Sequence, residues 1–475
     1  MKHYRTDFTV GNIPRHLITF AIPMLIGNLL QTFYNTVDSI WVGRFLGPEA
    51  LAAVSVSFPV LFLFIAFATG LGIGNNVMVA QYLGARREED ATRTITNALT
   101  VFTVIGIATM FVGLAFHEPL LRLIKTPPEV LTLASSYLVI FLFGLPFLFL
   151  YNAINTIFQG MGNSRTPLTL LIYATILNVI LDPIMILGIG PFPRMGIAGA
   201  ALATTIAQGF SGILGLFFLK RTGFVRFQKG FFFSKKLSGI MFKLGLPAGA
   251  QQTVLSLGFL MMSSIVNSFG KNVIAAFGVG SRVDQFAFLP AMTFSLAISS
   301  VAGQNLGALD FRRAREVARW GAIISSLFAV VTTVVIFFIT TSIVHIFTTD
   351  IDVTRLGIEY LRIVSFSYLP LALMFAYNGF LRGAGDTFQT MLNTILTLWG
   401  VRIPLAKVLS SLPNLAERGI WISQIIGPLA GFLIAYIYYL SGRWENKILT
   451  RPQQEKEEVE QSIHEATIVG AEDTH

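Results

Sequence analysis

The sequence predicts an all-α polytopic membrane protein of 12 transmembrane helices, arranged as two parallel six-helix repeats. Three observations lead there. Charged residues make up 12% of the 475-residue chain and hydrophobic ones 53%, whereas a soluble protein carries about 25% charge. Apolar runs recur at lengths that cross a bilayer core, which takes about 20 helical residues. The second half of the chain also repeats the first. A mean hydropathy of +0.67 and 42 phenylalanines exclude a disordered chain, which needs low hydrophobicity and high charge. The absence of Cys excludes disulfides, iron–sulfur clusters, thiolate catalysis and zinc–Cys sites.

Taken in chain order, the expected spans are 17–44, 52–83, 95–116, 130–158, 167–189 and 197–219, then 238–269, 273–303, 318–346, 357–381, 387–410 and 419–441. The runs are too long for barrel strands and do not alternate with period two. The first is too long for a cleaved signal, and no small-residue cleavage site follows it. It contains Pro23 and Gly27, which make it easy to bend. Gln31, Asn35 and Asp38 follow at i, i+4 and i+7 and therefore share one face. The second span holds "GLGIGNN", whose glycines suit close helix packing; no soluble βαβ unit follows that would make them a phosphate loop. Asn152 and Asn155 give the fourth span a polar face, and Thr204 and Gln208 do so for the sixth. In the fifth, Asn178 and Asp182 stand at i and i+4 before Pro183, a residue that frees a backbone carbonyl. The implied organisation is an N-terminus at 1–16, an N-lobe at 17–219, a linker at 220–237, a C-lobe at 238–441 and a charged, solvated tail at 442–475.

The halves match at an offset of about 223 residues. Pro23 stands opposite Pro247, Gln81 opposite Gln304, Gly84 opposite Gly307, Gly160 opposite Gly383 and Gly162 opposite Gly385. An even number of spans per half makes the repeats parallel, an arrangement typical of secondary transporters. Lys and Arg follow the same topology. The connections on one side carry 22 of them and those on the other side 7, which places both termini in the cytoplasm under the positive-inside rule. The basic pI of about 9.7 is thus a record of orientation and implies no nucleic-acid partner. No obligate protein partner is evident either.

Of 25 acidic residues, only Asp38, Asp182 and Asp284 fall inside apolar spans. Glu359 reads as an interfacial ion pair with Arg355 or Arg362 at helical spacing. A charge at mid-membrane costs about 2.5–3.5 kcal/mol on insertion scales, so such residues are candidates for function. Asp38 and Asp182 lie at similar depth in the same repeat, and their second-half counterparts are Met262 and Leu405. A residue needed only for the fold would recur in both halves. Two carboxylates at one depth could share a proton and trade it for a cation. Asp284 is close to Arg282 at a span end, so an ion pair there competes with a site. Arg402, inside a span, requires a partner or a cavity. No Walker motif is present, so ATP does not drive the protein, and no histidine lies near Asp38 or Asp182. No cofactor is expected.

"IPMLIGNLLQTFYNTVDSIWVG", "GPEALAAVS", "QGMGNSRTPL", "LNVILDPIMILGIGPFPRMGIAGAALATT" and the two "LGA" loops together resemble the multidrug and toxic compound extrusion (MATE) transporters, most of all the archaeal and DinF-like branch, over about 10–445. The resemblance implies two six-helix bundles in a V shape. It also implies export of amphipathic, often cationic compounds in exchange for H⁺ or Na⁺ at a cell membrane. By the same resemblance Asp38 and Asp182 are coupling residues, with Asn178 and Thr204 in their network. Gln31, Tyr34, Asn35 and Asn155 lie close to the drug path, and Pro23 and Gly27 mark the bend. Any Na⁺ would sit at Asp38 and Asp182. Another branch uses acids of the C-lobe, where this chain has Gln251 and Gln252; Asp284, Gln251 and Arg402 are secondary candidates there. The alternative reading is a flippase for a lipid-linked or polysaccharide precursor. Such an anion needs a basic cavity, and the acids here favour a cation.

Overall fold

The computed structural model describes residues 5–225 and 232–452, and the described residues are helical with short turns. The N-terminal half forms α1 (Ile13–Leu46), α2 (Pro48–Gly84), α3 (Glu88–Leu123), α4 (Pro128–Phe143), α5 (Leu145–Gly160), α6 (Arg165–Leu187) and α7 (Ile197–Arg221). The C-terminal half forms α8 (Lys235–Asn267), α9 (Lys271–Gly307), α10 (Phe311–Phe347), α11 (Ile351–Val364), α12 (Tyr368–Gly383), α13 (Thr387–Ile395), α14 (Ile403–Ser410) and α15 (Glu417–Leu440). Eleven helical segments among the described residues are long and apolar enough to cross a membrane, or 12 when α4 and α5 count as one bent span. The chain is a multi-pass membrane protein, whose spans are helical because a helix satisfies most of its backbone groups within itself.

Three of the expected spans are interrupted. The fourth breaks at Gly144, where α4 and α5 meet at 50°; a Cβ on Gly144 would lie 2.5 Å from the Thr205 hydroxyl. The tenth contains a 3₁₀ turn, Ser365–Ser367, between α11 and α12. The eleventh contains a π-helical turn, Leu396–Arg402, between α13 and α14.

The chain forms two compact units. Among the described residues, one comprises 5–7, Ile22–Val79, 87–225 and 232–249; the other comprises Phe8–Ala21, Ala80–Arg86 and 250–452. Besides the short exchanges at Phe8 and at Ala80–Arg86, the chain thus changes units inside α1 and inside α8, close to Pro23 and to Pro247, rather than in the 220–237 linker. Close packing explains the crossing in α8. A Cβ on Gly74 would lie 2.7 Å from the Met241 carbonyl, and one on Gly245 2.8 Å from Leu71 Cα. Only glycine lets these backbones approach so closely. The first unit's core includes Val42, Ala53, Leu121, Leu138, Leu145 and Ala201. The second unit's core includes Met262, Ala276, Leu361, Ala372, Ala406 and Trp421.

The second unit also shows what the duplicated "LGA" loops do. Gln304 Oε1 accepts from the Phe8 amide at 2.9 Å. Its counterpart Gln81 accepts from the Leu449 amide at 2.8 Å and donates to the Gly383 carbonyl at 2.8 Å. Each glutamine ties down one terminal segment. Contrary to the solvated tail expected from 442, Trp444 and Ile448 are buried, and Glu445 pairs with Arg315 at 3.0 Å. Trp444 supplies the packing face because its ring lies against Phe380. The rest of that tail, 453–475, lies outside the described residues.

Candidate functional site: the buried carboxylates of the first unit

Asp182 and Asn178 are one turn apart on α6 and buried, and Thr204 of α7 faces them. α6 and α7 can meet this closely because a Cβ on Gly199 would lie 2.6 Å from the Met185 carbonyl. Asn178 Nδ2 donates to Asp182 Oδ1 at 3.1 Å and reaches Thr204 Oγ1 at 3.4 Å. Tyr34 of α1 donates to the same Thr204 hydroxyl at 3.2 Å. Asp38, one turn further along α1, is near enough to Asp182 for their charges to interact, and the Tyr34 and Tyr137 hydroxyls lie in the same field.

What remains unsatisfied defines the site. Asp38 Oδ1, Asn178 Oδ1 and Asp182 Oδ2 are buried without a hydrogen-bond partner. All three are acceptors. Buried polar atoms are nearly always paired, so three unpaired oxygens in one cluster can accept from water or a proton, or ligate a hard cation.

Gln31 donates to Asn35 at 3.2 Å on a more exposed stretch of α1, and no hydrogen bond joins the pair to the carboxylates among the described residues. Asn155 Oδ1 is buried without a partner on α5. Pro23 and Gly27 lie inside α1. In the second unit Gln251 is satisfied by the Thr390 carbonyl and the Thr394 hydroxyl, at 3.3 and 2.7 Å.

Asp284 departs from its expected Arg282 pairing. It accepts from Tyr360 at 2.5 Å and from Tyr368 at 2.7 Å, while Arg282 lies over the Phe347 ring. Arg402 acquires a partner that the sequence did not indicate, Gln424 Oε1 at 2.6 Å. Glu359 pairs with Arg418 rather than with Arg355 or Arg362, because the first turn of α15, distant in sequence, brings Arg418 to it.

Sequence reasoning missed Tyr137, Tyr360, Tyr368 and Gln424. A tyrosine in an apolar span reads as packing. The signal was nonetheless present: "YL" recurs at 137–138 and 360–361 on the 223-residue register.

A membrane protein with a duplicated six-helix unit is a transporter by class. Comparison with known proteins agrees. The MatE family profile matches twice, at residues 23–184 and 247–408, once in each repeat, and the chain belongs to that family. It is similar to the probable multidrug resistance protein YpnP of Bacillus subtilis, at 34% identity over 94% of this chain and 98% of that one. It is also similar to YoeA of the same organism, a probable multidrug resistance protein, at 32% identity over 92% and 95%. A solved outward-facing multidrug resistance MATE family transporter of the MOP superfamily matches with a TM-score of 0.84 and 25% identity, over 91% of this chain and 96% of that one. The protein is a transporter and not an enzyme.

Proposed function

We propose that the protein is a multidrug efflux antiporter that exports amphipathic cations in exchange for H⁺ or Na⁺. Its ion coupling runs through Asp38 and Asp182, its termini are cytoplasmic and its setting is the cell membrane. The single observation that carries this reading is the set of three buried acceptor oxygens without donors on Asp38, Asn178 and Asp182. An incoming cation satisfies them, and a cationic drug competes for the same field. Thr204 and Tyr34 bridge α1 to α7, so occupancy of the cluster is felt by α1. α1 bends where Pro23 removes a backbone hydrogen bond and Gly27 adds freedom. Coupling follows if ion and drug favour different positions of α1, since a ligand shifts an equilibrium only by its differential affinity.

The ion is identified by reconstituting the protein in liposomes and imposing a pH gradient and a sodium gradient separately. One of them drives uphill accumulation of a cationic dye. Dye movement indifferent to both gradients contradicts the antiport reading. A preference for an anionic lipid-linked substrate in the same vesicles supports a flippase instead.

A further inference from the structure

The two halves fill one structural position with opposite chemistry. On the 223-residue register Tyr360 answers Tyr137, Leu405 answers Asp182 and Gly427 answers Thr204. The π-helical turn Leu396–Arg402 is therefore the counterpart of the α6 turn that carries Asn178. In the first unit this position leaves acceptors over. In the second unit the buried atoms left over beside it are donors, Arg402 Nε and Trp421 Nε1.

A continuous chain of hydrogen bonds connects the charges of the second unit. Arg402 Nη2 donates to Gln424 Oε1 at 2.6 Å, Gln424 Nε2 donates to the Tyr360 hydroxyl at 3.1 Å, and that hydroxyl donates to Asp284. Tyr368 donates to the other oxygen of Asp284, and Arg402 is near enough to Asp284 for their charges to attract. The Arg402 stem fills the space that a side chain at the counterpart of Thr204 would take: a Cβ on Gly427 would lie 2.8 Å from Arg402 Cβ. π-helical turns are rare and frequent at functional sites, and this one ends on Arg402 itself.

We propose that Arg402 is a tethered cation, holding in the C-terminal half the electrostatic position that a mobile cation takes in the N-terminal half and so barring one from Asp284. The C-terminal half then contains a latent monovalent-cation site, with the oxygens of Asp284, Tyr360, Tyr368 and Gln424 as ligands, that opens when the guanidinium is removed. The inference rests on the proposed function for the mobile cation of the first unit, and its test reads the two halves separately.

Binding of radiolabelled sodium to the purified full chain decides it. Arg402→Gln is expected to bind one more sodium per chain than the parent, both in the native background and in Asp182→Asn. Adding Asp284→Asn removes that extra ion. Asp284→Asn alone leaves sodium binding unchanged. The proposal is overturned if folded Arg402→Gln gains no sodium, or if Asp284→Asn alone loses one. A sodium lost on Asp182→Asn speaks only to the first unit. Should Arg402→Gln fold poorly, thermal midpoints still decide. The Asp284→Asn/Arg402→Gln double variant should melt above either single variant, because each single leaves one buried charge unpaired. Simply additive losses overturn the pairing.

Discussion

Asp182 is fully buried, yet only one of its oxygens has a donor. That donor is Asn178, so Asn178→Ala should weaken ion-driven export by about 10–100-fold, the equivalent of one hydrogen bond to a charged group, with unchanged expression. Transport assays on the variant in liposomes check this. Tyr137→Phe tests the residue that the sequence did not reveal. A clear fall in ion-driven export makes the hydroxyl part of the carboxylate field, and full activity makes it packing. At this scale the acids were legible because they are misplaced, as a carboxylate in an apolar run stands out against its surroundings. Asn178, Thr204 and Tyr34 were legible through the resemblance, but Tyr137, Tyr360, Tyr368 and Gln424 were not, because membrane helices tolerate these residue types without a special reason and only the fold shows which hydroxyl meets which acid. Arg282 and Arg402 show the limit most plainly. The arginine nearest in sequence to Asp284 lies over a phenylalanine, and the one 118 positions away joins its network.

Among the helices, α1 offers the sharpest test. A Cβ on Gly27 would lie 3.7 Å from Leu171, an ordinary contact, so Gly27→Ala fits without a clash and reports on flexibility alone. Gly27→Ala and Pro23→Ala should each raise the thermal midpoint while slowing export several-fold, since both stiffen the helix. Gly199→Val should act in the opposite sense. Its side chain would meet the Met185 carbonyl, and overpacking of this kind costs about 1–3 kcal/mol, read as a lower thermal midpoint in detergent. Hydropathy located the spans because length and apolarity are what a bilayer selects. It did not reveal the 50° break at Gly144 or the π-helical turn at Leu396–Arg402. Composition runs unchanged through both, and direction is set by neighbours.

For the whole molecule, the duplication is the organising fact, and it served as an internal control. Features present in both halves, such as Gln81 with Gln304, hold terminal segments. Features confined to one half, such as Asp38 and Asp182, need a further reason. The proposed orientation is testable with little preparation, because the chain has no cysteine. Single cysteines at Arg165 and Arg312 should react with a membrane-impermeant thiol reagent only from the cytoplasmic side, and those at Arg122 and Lys271 only from outside. The opposite pattern would invert the topology. The central claim is that the carboxylates of the first unit exchange a cation for the exported compound. Uphill export of a cationic dye from liposomes driven by the effective ion gradient, with the parent and the folded Asp38→Asn and Asp182→Asn variants compared side by side, tests it most directly. The account predicts uphill export by the parent and a fall to the level of protein-free vesicles in both variants; uphill export retained by either variant contradicts it.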